Sequence, residues 1–336
     1  MHKTALIFLA TVSAFCVTAR SSNEFVPQSY GLSDGALVLE SNGNYVEPYF
    51  ATKALIVAQD AGLDVRQPAR AWIEWALAHQ RSDGRFERFC RKPEENWKSC
   101  GAADADDSML ALWLQLLYRF APDSGIPAPW QESVRKARSQ LAKLRNGRLE
   151  VYHVSERNHV ALLMDNVEIY SALKDMATAQ RRFGDNGGAD ATGHEAETLA
   201  SGIRNVFWDE RNQWFRPSMQ KNKPAFYPDV VAQVFPWLAG LPGSVDPRAA
   251  WENWKSRFAS GWLESKYDPH PWGLVALAAA KEGDESSAVC WLSRSQSLRY
   301  SSRWNVLEEA VYQGLEHRLG EQQLADATAC SRVLAR

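Results

Sequence analysis

The chain has 336 residues, with 38 Lys+Arg against 40 Asp+Glu and a formal net charge of −2. At 45% hydrophobic and 23% charged it has an ordinary globular composition, which excludes global disorder, and the even charge balance excludes a nucleic-acid binder with a basic face. Fourteen Trp form an unusual load that suits both a packed core and flat faces for sugar rings.

Residues 1–19 read as a targeting segment: His2 and Lys3 form a short basic start, 5–17 are apolar, and Val17-Thr-Ala19 offers small residues for cleavage. The apolar run is too short for a membrane anchor, and no later segment is long and uncharged enough. The expectation is an exported, periplasmic or secreted protein whose mature part, 20–336, is one domain. Removing the leader removes Cys16, which follows a Phe15 poorly suited to a lipidation site. Cys90, Cys100, Cys290 and Cys330 remain, an even number in an oxidising compartment. Of the three connectivities, 90–100 and 290–330 are favoured. Cys90 and Cys100 flank one polar loop, and Cys290 and Cys330 fall on two one-sided helices. Their spacing resembles no zinc module, so neither a metal nor a cofactor is expected.

Beyond residue 46 the pattern is helical almost throughout. Segments run over 48–61, 68–80, 104–120, 130–145, 159–181, 192–208, 229–240, 248–262, 271–282, 284–297, 304–318 and 321–334, separated by Gly and Pro breakers. Odd segments are apolar all round, as in 109–117 and 271–280, and such helices are buried on every side. Even segments are one-sided, as with Trp130, Val134, Leu141 and Leu144, or Trp251, Trp254 and Phe258. Buried helices alternating with coating helices predict an all-α (α/α)6 toroid of six helical hairpins in a single domain. The uneven spacing of the odd helices argues against a solenoid.

In such a toroid the inner helices run parallel, and their N-termini meet at one end. Polar residues collect there. Glu47 precedes Pro48; Asp104, Asp106 and Asp107 open the third helix; His159, Asp165 and Glu168 open the fifth. Tyr227 and Asp229 open the seventh, Asp268 and His270 precede the ninth, and Trp304, Glu308 and Glu309 open the eleventh. A single Asp in such a place is an N-cap, and Glu308 or Glu309 reads equally as a solvated charge. As a set, carboxylates converging from several helices imply solvent or a polar ligand between them.

At 102–109, Ala-Ala-Asp-Ala-Asp-Asp-Ser-Met, the chain resembles the family 8 glycoside hydrolases, inverting endo-glycanases on an (α/α)6 barrel, with Ala103 in place of their hydroxyl residue. Residues 45–55 are similar to that family's first inner helix, with Glu47 at the acidic position. Residues 226–235 resemble its Pro-Ser-Tyr segment, and 267–271 echo its Asp-Ala-x-Arg-x-Pro stretch without the Arg. The resemblance implies Glu47 as general acid, Asp104 as the holder of the sugar at the cleavage point and, more weakly, a role for Asp268; the chemistry then calls for a base, which is Asp268 or one of Asp106 and Asp165.

Trp97, Trp113, Trp272, Trp304 and Tyr227 are candidate stacking platforms, and Asp106, Asp165 and His159 candidate substrate contacts. The expected substrate is an extracellular or cell-envelope polysaccharide or oligosaccharide, with other components of a polysaccharide secretion system as partners. Two alternatives stand beside hydrolysis. Tyr152-His-Val-Ser-Glu-Arg-Asn-His159 carries groups suited to a uronate lyase, and a non-catalytic glycan-binding role would need no catalytic pair.

Overall fold

Apolar runs and their breakers produce twelve α-helices among the described residues of the computed structural model. It describes 23–335 apart from 93, 222, 244, 245, 325 and 327, and apart from the side chains of 321–323. The expected leader and Cys16 lie outside the described residues. The helices are α1 (Pro48–Asp60), α2 (Arg66–His79), α3 (Asp106–Phe120), α4 (Ala128–Lys143), α5 (Leu163–Arg182) and α6 (Asn186–Phe207), followed by α7 (Val234–Ala239), α8 (Pro247–Leu263), α9 (Gly273–Lys281), α10 (Glu285–Ser295), α11 (Val306–Leu324) and α12 (Ala329–Leu334).

The odd helices pack on one another in order, α1 on α3, α3 on α5, α5 on α7, α7 on α9 and α9 on α11, and α11 closes the ring against α1. That closure is the expected all-α toroid. Its cause is visible in burial. Every residue from Asp107 to Tyr118 of α3 and from Gly273 to Ala280 of α9 is buried, whereas α4 buries only Ser133, Ala137, Gln140 and Leu141, a single stripe. The Trp load is mostly core: Trp72, Trp113, Trp251, Trp254, Trp291 and Trp304 are among the largest fully buried side chains. Both expected disulfides are present, Cys90–Cys100 and Cys290–Cys330, the second joining α10 to α12. Among the described residues no helix is long and apolar enough to cross a membrane.

The structure departs from the helical expectation in several places. The Cys90–Cys100 loop belongs to a three-stranded antiparallel sheet of β1 (Tyr45–Val46), β2 (Glu87–Cys90) and β3 (Lys98–Ala102), too short for a period-2 signal. Helix α5 starts at Leu163 rather than 159, because Val154 N–H bonds to the Val160 carbonyl and closes a loop there. A kinked segment, Phe226–Gln233, precedes a six-residue α7. The last expected helix, 321–334, falls into two pieces: Gly320, with a non-helical φ of 70° and ψ of 169°, breaks α11, the piece beyond it ends at Leu324, and α12 starts again at Ala329.

Candidate active site

All six inner helices present their first turns, or the residue just before, to one cleft of about 550 Å³. Tyr49 comes from α1, Asp104 and Ser108 from the start of α3, and Asp165 from α5; Tyr227 precedes α7, Trp272 precedes α9, and Glu308 comes from α11. Helices α5 and α11 stand diametrically opposite in the ring, so Asp165 and Glu308 face the cleft from opposite sides.

Glu308 is set by a cap and a missing Cβ. The Asn305 side chain accepts from the Leu307 and Glu308 N–H groups at 2.9 and 3.1 Å, capping α11. The Gly273 N–H donates to Glu308 Oε2 at 2.8 Å, and a Cβ on Gly273 would lie 2.5 Å from that oxygen. Burial pushes the Glu308 carboxyl up from 4.5 to about 7, against the opposing pull of the Gly273 N–H. The neighbouring Glu309 is structural: it pairs with Arg299 at 2.5 Å and accepts from Trp304 Nε1 and Gln313.

Asp165 is fixed by what Asn166 does. The Asn166 side chain accepts from Tyr152 N–H at 2.7 Å and donates to the Tyr152 and Leu162 carbonyls, locking the start of α5 to the preceding chain. Asp165 and the fully buried Asp107 of α3 interact carboxyl to carboxyl, and each leaves an Oδ2 without a partner. Burial comes first for both; repulsion from Glu168 and Asp106 adds to it at Asp107, raised to about 8, and repulsion from Asp107 and Glu168 adds to it at Asp165, raised well above its ordinary value. Behind them Glu168 accepts from Tyr49 Oη at 2.8 Å and pairs with Lys53 at 2.9 Å.

Of the residues expected from sequence, Asp104, Asp165, Tyr227 and Trp272 line the cleft. Asp104 is largely exposed and held by Arg88 at 3.3 Å. Glu47 lies at the same end but beneath the cleft wall. It is 2% exposed, bonded by the Arg88 guanidinium and by Tyr45 Oη at 3.3 Å, and it does not line the cleft. Burial raises its carboxyl in spite of Arg88.

Asp268, expected as a base, stands off the cleft. Its Oδ1 accepts from the His270 N–H at 2.8 Å, and His270 and Trp272 take the wall positions instead. Asp106 pairs with Arg85 at 3.6 Å and does not line the cleft. Trp304 and Trp113 offer no face to a ligand, being 1% and 0% exposed. Trp97 is tied to Asp34 at 2.9 Å and lies under Arg91, outside the cleft. His159 is exposed and stacks on His153 at 5.2 Å, and the Tyr152 hydroxyl is spent on Glu195; within 152–159 only Val154 and Asn158 line the cleft. The lyase alternative loses its proton carriers there.

Sequence reading names Glu308 and Asp107 among the polar residues at the inner-helix starts but gives neither a part in the chemistry. The signal for Glu308 was its place in the first turn of an inner helix, the same place Asp165 has in α5. At the opposite end of the ring a cavity of about 390 Å³ contains charges that are already matched. Lys53 pairs with Glu168 and Arg119 with Asp60, and Lys281 and Arg318 donate to main-chain carbonyls of α7 and α9. Among the described residues no group of His, Cys, Asp and Glu is arranged to hold a metal.

No protein-family model matches the chain, and no curated protein matches it. Solved structures do. An α-amylase from Clostridium perfringens superposes with a TM-score of 0.58 at 13% identity, over 88% of this chain and 96% of that one. A GH63 mannosylglycerate hydrolase from Thermus thermophilus superposes with a TM-score of 0.55 at 10% identity, over 85% and 96%. A rhamnosidase from Klebsiella oxytoca superposes with a TM-score of 0.55 at 10% identity, over 80% of this chain and 57% of that one. At such identities the likeness is one of fold: the chain shares its toroid with these three enzymes.

Proposed function

We propose that the protein is a glycoside hydrolase whose acid and base are Asp165 and Glu308. One observation carries this reading. Two buried carboxyls, both pushed above their ordinary values, enter one cleft from opposite sides of the ring. Glycoside cleavage needs one protonated carboxyl at the leaving oxygen and one ionised carboxylate at the water. The fold shared with an amylase, a rhamnosidase and a mannosylglycerate hydrolase supports the same class.

The roles follow from what each carboxyl touches. Asp165, facing the carboxyl of Asp107, is held in its protonated form by that neighbour and is the acid. Glu308, whose Oε2 accepts from the Gly273 N–H, is steadied as a carboxylate and is the base. As the glycosidic C–O bond breaks, the Asp165 proton passes to the leaving oxygen. Glu308 takes a proton from the water whose oxygen bonds to the anomeric carbon. Asp104, held by Arg88, would bind sugar hydroxyls, and Tyr227 and Trp272 would carry the ring faces. An inverting course and endo action, implied by the family 8 resemblance, complete the proposal; the anomer of the first product and the size of the fragments decide each. Two disulfides and the absence of a membrane-crossing helix among the described residues are compatible with export.

Incubating the protein with a panel of glycans and assaying new reducing ends tests the reading. Asp165→Asn and Glu308→Gln are each expected to lose about 10²- to 10⁴-fold in kcat. Release of an unsaturated product would replace hydrolysis by elimination, and oligosaccharide binding without any product would leave only a binding role.

A further inference from the structure

Four large apolar side chains stand exposed among the described residues, and two of them, Tyr227 and Tyr267, belong to one aromatic ridge that starts in the cleft. The ridge is built by two stretches of chain lying side by side. Tyr227 stacks on Trp272 with ring centres 4.7 Å apart and planes 14° apart, and its neighbour Phe226 stacks on Tyr267 at 5.2 Å and 28°. His270 stands edge-on to Trp272 at 6.2 Å. Tyr227, His270 and Trp272 line the cleft and Tyr267 does not, so of two stacks joined through the adjacent residues Phe226 and Tyr227 one lies in the cleft and the other beyond its lining.

Its outer end is rigidly seated although exposed. Tyr267 is 49% exposed, yet its ring lies against α8 where Gly261 has no side chain; a Cβ there would come within 2.0 Å of the ring. Phe258 meets Tyr267 edge-on at 6.4 Å and Phe226 leans on Trp254 at 6.3 Å. An exposed aromatic ring fixed from beneath offers contact area at little further cost in side-chain freedom. Pyranose rings present apolar C–H faces that fit such a surface and hydroxyls at their rims. Asp268 supplies a carboxylate next to Tyr267, on the same loop that its Oδ1 bond to the His270 N–H holds in place.

Resting on the hydrolase reading of the cleft, we infer that the Phe226–Tyr267 stack and Asp268 form an outlying subsite for a further sugar unit of the chain being cleaved, which makes the substrate an oligomer or polymer of pyranose units. Asp268 then has a place in recognition and none in bond breaking.

The experiment is binding of neutral and uronate oligosaccharide ladders, disaccharide to hexasaccharide, to the full chain by calorimetry, in the Asp165→Asn background so that nothing is consumed. Affinity should rise with length, and Tyr267→Ala should remove that rise, weakening the longest ligand about tenfold while leaving the disaccharide unchanged. Gly261→Ala, which unseats the ring without deleting it, should do the same. A length increment that survives both substitutions, a loss equal for short and long ligands, or no binding of any ladder overturns the subsite. The hydrolase reading is judged separately, by product formation with the unsubstituted protein: length-dependent binding without product would sink that reading and leave the ridge standing.

Discussion

Glu308 and Glu309 are neighbours in sequence and opposites in fate. Successive helical residues point about 100° apart, so one carboxylate enters the cleft while the other is consumed by Arg299, Trp304 and Gln313. For Glu308 the pH consequences follow directly. Catalysis requires it ionised, so kcat/KM should climb with pH through about 7 and fall again once the Asp165–Asp107 pair loses its proton. Stability runs the other way. With a folded value of about 7 against 4.5, the folded chain holds the Glu308 proton longer than the unfolded chain, so stability declines as pH rises between those values. The full cost above that window is on the order of 3 kcal/mol. Glu308→Gln should therefore melt higher than the unsubstituted protein at about pH 8 and match it at about pH 4, while being nearly inactive. An unaltered melting curve at both would mean that the carboxyl is solvated. Glu47→Gln, by contrast, should keep activity within a few-fold, because Glu47 reaches the cleft only through Arg88 and Asp104; a thousandfold loss would return Glu47 to the acid role.

At the scale of elements, the twelve helices were legible because burial leaves a compositional trace: a helix without a polar face must be inside. What could not be read was helical phase within the inner set. Helix α3 buries every side from Asp107 onward, so no apolar stripe says which of Asp104, Asp106 and Asp107 meets the cleft. The β2–β3 hairpin was equally invisible, with strands of four and five residues held by Cys90–Cys100. Gly273 is the junction that decides the site. It starts α9 at the point where α11 brings Glu308 and α10 brings Trp291, and a Cβ would lie 2.5 Å from the carboxylate and 2.8 Å from the indole. Gly273→Ala should displace Glu308, depress kcat and lower the melting temperature together; a stable protein with full activity would show that the contact has slack. The disulfides are expected to differ by loop length. Closing 40 residues between α10 and α12 is worth ~4 kcal/mol and closing 10 is worth ~3 kcal/mol, so Cys290→Ser should cost more in denaturant midpoint than Cys100→Ser.

For the whole molecule, the ring is held at both ends by different means. At the cleft end inner helices bring together carboxyls that repel one another, an arrangement that costs stability and serves chemistry. At the far end the charges are paired. Arg119 of α3 reaches Asp60 of α1 at 2.6 Å and Asp175 of α5 at 2.5 Å, binding three consecutive inner helices, and Gln115 adds a bond to Asp175 at 2.6 Å. The sequence announces Arg119 only as the first charge after a long apolar run. Its partners lie 59 and 56 residues away, a separation explained by the side-by-side packing of successive inner helices. Arg119 is mostly buried, whereas Asp60 is about half exposed, so the brace is worth less than a sealed ion pair, about 2 kcal/mol. Arg119→Met should thus lower the melting temperature by roughly 5 °C and leave the pH profile of activity in place, since Asp165 and Glu308 sit at the opposite ends of their helices. If instead the pH limbs moved, the ring would have to transmit strain along its axis, and the two ends could no longer be treated as independent. If neither quantity changed, the brace would contribute nothing, and the packing of α1, α3 and α5 at this end would rest on apolar contact alone.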